Sequence, residues 1–362
     1  MVLQGSHSSH HFDVAAAIER ASVLHPHCEI VQEPVTSLEN LSPILSTLAT
    51  QVPEVPRRLF IIAPSKLYKQ LVAVASTDGG GGAMILGGHD IFDGIRVDLD
   101  DRIQAILVQN RSRVRVSASQ IVDRLKSALV ANANTAAVHD LQYRIYTGGQ
   151  QGAYQVFHKD ELSEWKQPDQ VIGLYDDMLS LISPVWVAVV RVGYSDSTDD
   201  LTHDAEGLLL PVNEVPKERI DMVITVQIPF HGYFEKLQDL PEYVDIRYFV
   251  RNDKQQGISK VYQARVSHES PVIGFDLMNM GIESLQERPF HSDDELGHAI
   301  RMHDDEAKNP GAWLIKHSIS PRVLLDQSHV ISWLDTIFHD REVEAGVYYN
   351  ELKIKNSSCT IL

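Results

Sequence analysis

Between Ile220 and Phe230 apolar residues recur at every second position, and this period constrains the fold more than any other feature of the chain. Ile220, Met222, Ile224, Val226, Ile228 and Phe230 fall on one side; Asp221, Val223, Thr225, Gln227 and Pro229 fall on the other. Successive side chains of a strand point to opposite faces, so the pattern predicts a long strand buried on one face. Val244, Ile246, Tyr248 and Val250 alternate with Asp245, Arg247 and Arg251 in the same way, and "ISKVYQARVS" repeats the theme more weakly. Strands that follow one another through polar loops, with no helical period read between them, predict antiparallel pairing. The fold class expected is α+β: a helical N-terminal segment, a mixed α/β first half, an antiparallel β-sandwich or jelly-roll-like second half, and C-terminal helices.

The rest of the chain supplies the flanks. Residues 1–58 read as a helical lead-in or arm, with Asp13 able to cap "VAAAIERASVL". Residues 59–184 read as a mixed α/β domain that opens on the strand "RRLFIIAP". Within it Ser117 and Gln120 form a capping box ahead of Ile121, Leu125 and Leu129 at helical spacing. Residues 185–290 are the β-rich sandwich-like domain, and residues 291–362 a C-terminal helical segment and tail. In that last part "HSDDELGHAIRMHDDEA" and "SPRVLLDQSHVISWLDTIF" read as helices, and "AGVYYNELKI" as a final strand.

Charge narrows the partners. With 32 basic and 49 acidic residues the net charge is −17, which repels phosphates and anionic lipid unless bases cluster locally. The one dense basic row is Arg111, Arg113 and Arg115. On a strand the three would share a face, either as a phosphate-contacting ribbon or as a solvated face that discourages edge pairing. Nucleic acid is therefore not expected as a main partner. The longest apolar runs, such as 185–190, are far too short to span a bilayer, and the first residues lack a basic-then-apolar leader. Two cysteines, Cys28 and Cys359, allow at most one disulfide. A cytoplasmic, non-secreted location is the expectation.

Several catalytic readings fail on spacing. "GGGGAMILGGHD" lacks the Lys-Ser/Thr of a P-loop, and Ile85 stands where the dinucleotide fingerprint needs Gly or Ala. It reads as a surface loop. Ser195 follows Gly193 as in a nucleophile elbow, yet Ser197 occupies the position that requires glycine. Asp196, Thr198, Asp200, Thr202 and Asp204 alternate like calcium ligands, but Leu201 replaces the turn glycine and Gly207 the bidentate Glu. An acidic surface loop is what remains of that reading. His-Asp occurs five times, at His89, His139, His203, His303 and His339. Adjacent His and Asp ligate metals in phosphohydrolases, which makes His303, Asp304, His203 and Asp204 the weak metal candidates. No catalytic residue and no cofactor is expected with any definite assignment.

The tail "NSSCTIL" carries a different chemistry. Cys359 at the fourth-last place, Ile361 and a terminal Leu362 match a prenylation box of the geranylgeranyl type. The same residues read as a Thr-x-Leu-carboxylate that docks to a sheet edge, or as coincidence. Lys353 and Lys355 are the only bases nearby, so a single lipid would bind a membrane weakly. The function expected is a non-enzymatic structural or assembly protein acting through protein–protein contacts, with itself among the partners. A viral capsid or accessory protein is one object of this size and composition. The alternatives are a prenylated cytosolic adaptor and a metal-dependent hydrolase using the His-Asp pairs.

Overall fold

The computed structural model describes residues 14–24, 29–31, 35–50, 58–64, 66–67, 70, 85–86, 89–90, 95–100, 105–110, 112–131, 145–149, 154–157, 163–166, 168–175, 184–194, 196–209, 220–252, 257–276, 320 and 322–358. It is an α+β protein built on two mixed six-stranded sheets.

In chain order the first elements are α1 (Val14–Leu24), β1 (Glu29–Val31), α2 (Leu38–Thr50) and β2 (Arg58–Ile62). The hairpin β3 (Ile85–Leu86) and β4 (His89–Asp90) stands apart from both large sheets, and β5 (Ile95–Asp100) and β6 (Ala105–Asn110) follow. Then come α3 (Arg113–Ser119), α4 (Ile121–Ala131), β7 (Ile145–Gly149), β8 (Tyr154–Phe157), β9 (Ser163–Lys166), β10 (Gln170–Tyr175) and β11 (Pro184–Gly193). The remainder is α5 (Thr198–Leu209), β12 (Met222–Gln227), β13 (Val244–Asn252), β14 (Gly257–Val266), β15 (Gly274–Asp276), β16 (Arg322–Leu324) and the long α6 (Gln327–Ser358).

The first sheet runs β1-β2-β6-β5-β9-β8, with β1 and β2 parallel and the other pairs antiparallel. Strand alternation divides its side chains between two cores. Leu59, Ile61, Ile95, Val97, Ile106 and Val108 pack with Leu41, Leu45 and Leu48 of α2. Phe60, Ile62, Ala105 and Leu107 pack on the other face with Ala17 of α1. The second sheet runs β14-β13-β12-β11-β10-β7. The boundary read from the sequence at 184/185 falls between β10 and β11, which are antiparallel neighbours in this sheet.

Four sequence expectations are corrected. First, β11 and β12 pair in parallel, because α5 lies between them as a crossover helix. Residues 198–209, read as an acidic loop, form that helix. Ser197 and Asp200 cap it reciprocally: the Asp200 amide donates to Ser197 Oγ at 3.1 Å, and the Ser197 amide to Asp200 Oδ2 at 3.1 Å. Second, β12 is covered on both faces. Met222, Ile224 and Val226 enter the largest core with Val114, Ile121, Leu125 and Trp333, while Val223 joins Val189, Ala205 and Leu208 on the α5 side. Thr225, expected to face solvent, is fully buried.

Third, the basic row is not a strand. Arg113 and Arg115 lie on α3, whose N-cap Ser112 accepts from the Arg115 amide at 3.2 Å; Arg111 lies outside the described residues. The helix expected from Ser117 is split between α3, which ends at Ser119, and α4, which buries Ile121, Leu125 and Leu129 as the spacing predicted. Fourth, the start of "SPRVLLDQSHVISWLDTIF" is not helix, since Arg322–Leu324 is the strand β16, and "AGVYYNELKI" is helix, because α6 runs from Gln327 to Ser358. The apolar run Val347-Tyr348-Tyr349 is too short to decide between periods, and the helix begun before it propagates. The helix expected over 291–307 and the glycines at 79–82 lie outside the described residues.

Candidate functional site

Two buried polar clusters flank the second sheet. The first starts from a short-range consequence of strand geometry. On β5, Ile95 and Val97 point into the α2 core, so Arg96 and Asp98 must point the other way. On β11, Val187 and Val189 point toward α5, and Arg191 continues that face. The two strands belong to different sheets, and their charged residues meet.

Arg191 Nη2 lies 3.1 Å from Asp98 Oδ2, and its Nε donates to Asp204 Oδ2 of α5 at 3.0 Å. Arg96 Nη1 donates to Asp169 Oδ2 at 3.2 Å, and its Nε lies 3.3 Å from Asp98 Oδ2. Arg115 reaches in from α3, with Nη2 at 3.4 Å from Asp196 Oδ2 and Nη1 at 3.7 Å from Asp169 Oδ1. Asp169 also accepts the Val192 amide at 2.7 Å, tying the start of β10 to β11. All seven side chains are buried. Gly193 lets α5 come this close: a Cβ there would sit 2.5 Å from Leu201 Cδ1.

Interleaved charges decide the electrostatics. Burial by itself pushes the Arg191 guanidinium down, but Asp204, Asp98 and Asp169 outweigh it and hold the group well above its ordinary value. Arg115 is less well matched. Burial and repulsion from Arg96 lower it to about 10, against the pull of Asp169 and Asp196. The row continues across the second sheet, where Arg191, Thr225 and Arg247 are direct neighbours in register. Arg247 Nη1 donates to Gln227 Oε1 at 3.0 Å. The Thr225 hydroxyl has no hydrogen-bond partner among the described residues.

The second cluster lies on the opposite face, where α6 crosses the end of β11. The Tyr194 hydroxyl and His231 Nδ1 are hydrogen-bonded at 2.9 Å, and His231 packs against Tyr348 with ring centroids 4.7 Å apart. The Tyr349 hydroxyl donates to the carbonyls of His231 and Phe234 at 3.0 and 2.8 Å. Arg341 Nη1 donates to the Pro241 carbonyl at 2.6 Å. Glu344 is 1% exposed, and its carboxyl lies against the Tyr194 hydroxyl and the backbone amides of Arg113 and Val114. No hydrogen bond of ordinary geometry reaches either oxygen among the described residues. Burial pushes Glu344 up to about 8, only partly countered by those amides and by Tyr194. Burial, with Arg341 nearby, draws His231 down to about 4. Tyr194 is held well above its usual value by burial and by Glu344.

The sequence candidates divide. Asp204 and Arg115 are both in the ion network, paired with Arg191 and with Asp196 and Asp169. His203 is half-buried beside Asp204 on α5, and no group of three or more metal-ligating side chains forms among the described residues. His89–Asp90 is β4 and His339–Asp340 lies on α6, far from each other in the chain order of the fold. Ser195, His303, Asp304 and Cys359 lie outside the described residues. Arg96, Asp98, Asp169, Arg191, His231 and Glu344 were missed. The signal for the first pair was present as two charges at i and i+2 inside the apolar run "GIRVDL". No family model, curated protein or solved structure matches the chain.

Proposed function

We propose that this chain is a non-enzymatic structural or assembly protein that works through protein–protein contacts, with copies of itself as the first partner to test. The observation that carries the reading is the exposure of apolar side chains near the end of α6. Val330, Trp333, Leu334, Ile337 and Phe338 bury its first turns in the main core. By contrast Glu351, Leu352, Lys353 and Ile354 are all exposed, with Ile354 67% accessible. A helix end that presents apolar side chains at the surface is suited to contact another surface. The charged side chains of the ion network support the same reading, since they are committed to one another. On this proposal a viral capsid or accessory protein is the kind of object the chain would suit.

Size-exclusion chromatography with light scattering on the full chain tests it. The expected result is a defined oligomer that a Leu352→Glu, Ile354→Glu variant converts to smaller species without loss of the circular dichroism of the fold. A monomer at every concentration would end the reading. Detergent partitioning and the mass of the C-terminal peptide from a eukaryotic host address the lipidated alternative at Cys359 separately.

A further inference from the structure

The Glu344 site has a use that the ion network does not. We propose that the Glu344 carboxyl is a proton-operated latch for the second half of α6: protonated, it lets the helix seat against α3, β11 and the turn His231–Tyr233, and ionised, it loosens that seat. The inference concerns how one chain holds its own helix and stands whether or not the protein assembles.

The geometry carries the argument. Glu344 is in the middle of the seat, within a helix whose neighbouring contacts, Tyr349 on the His231 and Phe234 carbonyls and Arg341 on the Pro241 carbonyl, close over it. Among the described residues few groups face it. From α3 come the amides of Arg113 and Val114; from β11, Tyr194; from its own helix, Asp340. His231, on the turn, is engaged with Tyr194. Asp340 is held by the Ser117 hydroxyl at 2.7 Å. The nearest cation on the helix, Arg341, donates elsewhere, and no ion pair reaches Glu344 among the described residues. An ionised carboxylate in this place is shut off from bulk solvent and has no ion-pair partner among the described residues, so the seated helix favours the acid form. With α6 lifted, the same carboxyl meets water and ionises at its ordinary value.

The sign follows from proton counting. Between the ordinary 4.5 and the seated value of about 8 the seated helix holds one proton more than the lifted one. Seating is therefore strongest below that window, weakens by up to about tenfold per pH unit through it, and levels off above it. A modest rise in pH across the neutral range acts on the last turns of α6, including the exposed Leu352 and Ile354.

Hydrogen exchange of residues 341–349 in the full chain, corrected for the intrinsic pH dependence of exchange, reads the latch from about pH 5 to about pH 9. Wild type is expected to lose protection as pH rises through this range and then level off, whereas Glu344→Gln is expected to stay flat. Parallel curves for the two would overturn the proposal. Carbon-13 titration of the glutamate carboxyls in wild type provides a test that does not depend on the variant folding. One glutamate titrating near 8 is expected, and a full set titrating in the ordinary range sinks the idea, as does a high titration that leaves exchange unchanged.

Discussion

The two buried clusters contain the same chemical groups in different company. Around Arg191 each carboxylate has a guanidinium within about an ion-pair distance, and burial tightens the pairs rather than discharging them. Around Glu344 the carboxyl meets a hydroxyl, two amides and another acid, and burial discharges it. Depth alone decides neither outcome. A buried charge becomes a fixed structural element or a titrating one according to whether its partner is buried with it.

The largest break in that comparison comes from removing a partner from the paired cluster. Arg191→Met leaves Asp98 and Asp204 without the cation between them, and a buried pair broken on one side costs about 3–5 kcal/mol. Urea denaturation should show a loss of that size or no folded protein. A change under about 1 kcal/mol would mean that the two sheets do not depend on this junction.

The unpaired cluster responds to acid through His231, and here the sign is opposite to that of Glu344. The folded value of about 4 lies below the ordinary 6.5, so the unfolded chain takes up a proton that the fold refuses. Stability is intact above 6.5 and falls as pH drops toward 4, by up to about 1.4 kcal/mol per unit. His231→Gln should flatten this acid limb in thermal melts while leaving the limb due to Glu344; an unchanged acid limb would assign it to other groups.

An exposed pair sharpens the contrast from outside. Arg265 makes two hydrogen bonds to Asp245, at 3.0 and 3.1 Å, yet its side chain is 61% accessible. Arg265→Ala should cost only about 0.2–1 kcal/mol, and raised salt should reduce the difference. A larger loss would point to its stacking over Tyr243, 3.8 Å away. Smallest of all, Thr225→Val removes a fully buried hydroxyl that has no partner among the described residues and should change stability by less than about 0.5 kcal/mol, in either direction. Thr225→Asp, by contrast, should be destabilising, because the outward face expected for Thr225 lies under α5.

Local signals in the sequence carried well. Of the even-numbered apolar set, Met222, Ile224, Val226, Ile228 and Phe230 do enter one core, while Ile220 packs in the α5-side core instead; Ile121, Leu125 and Leu129 do lie on one buried helix face. What failed was the environment of the opposite face. Val223 and Thr225 interrupt an alternation that would otherwise be half-polar, and only a covering helix explains Val223; that helix, α5, was hidden because "STDDLTHDAEG" is rich in acids and contains a glycine. Its opening Ser197-x-x-Asp200 was a legible cap. The ion network was less accessible still. Arg96 and Asp98 are separated from Arg191 by more than ninety residues, and nothing in the spacing of either segment announces the other. Buried polar pairs between distant segments become visible only when topology brings the strands together.

The order in which strands join the two sheets has a consequence for how this chain comes into being. β7 belongs to the second sheet, β8 and β9 to the first, and β10 to the second again. The first sheet therefore waits for residues up to Lys166 before its outer strands exist, and by then one edge strand of the second has already emerged. Pairing β5 with β9 closes a loop that contains α3, α4 and β7. Such long-range closure is slow, and a ribosome that releases the chain gradually exposes the waiting edges of β5 and β7 in the interval. No cut between 150 and 167 yields two intact sheets, so fragments made there should collect in inclusion bodies, and the protein's yield in a foreign host should depend on chaperones that guard open strand edges during synthesis.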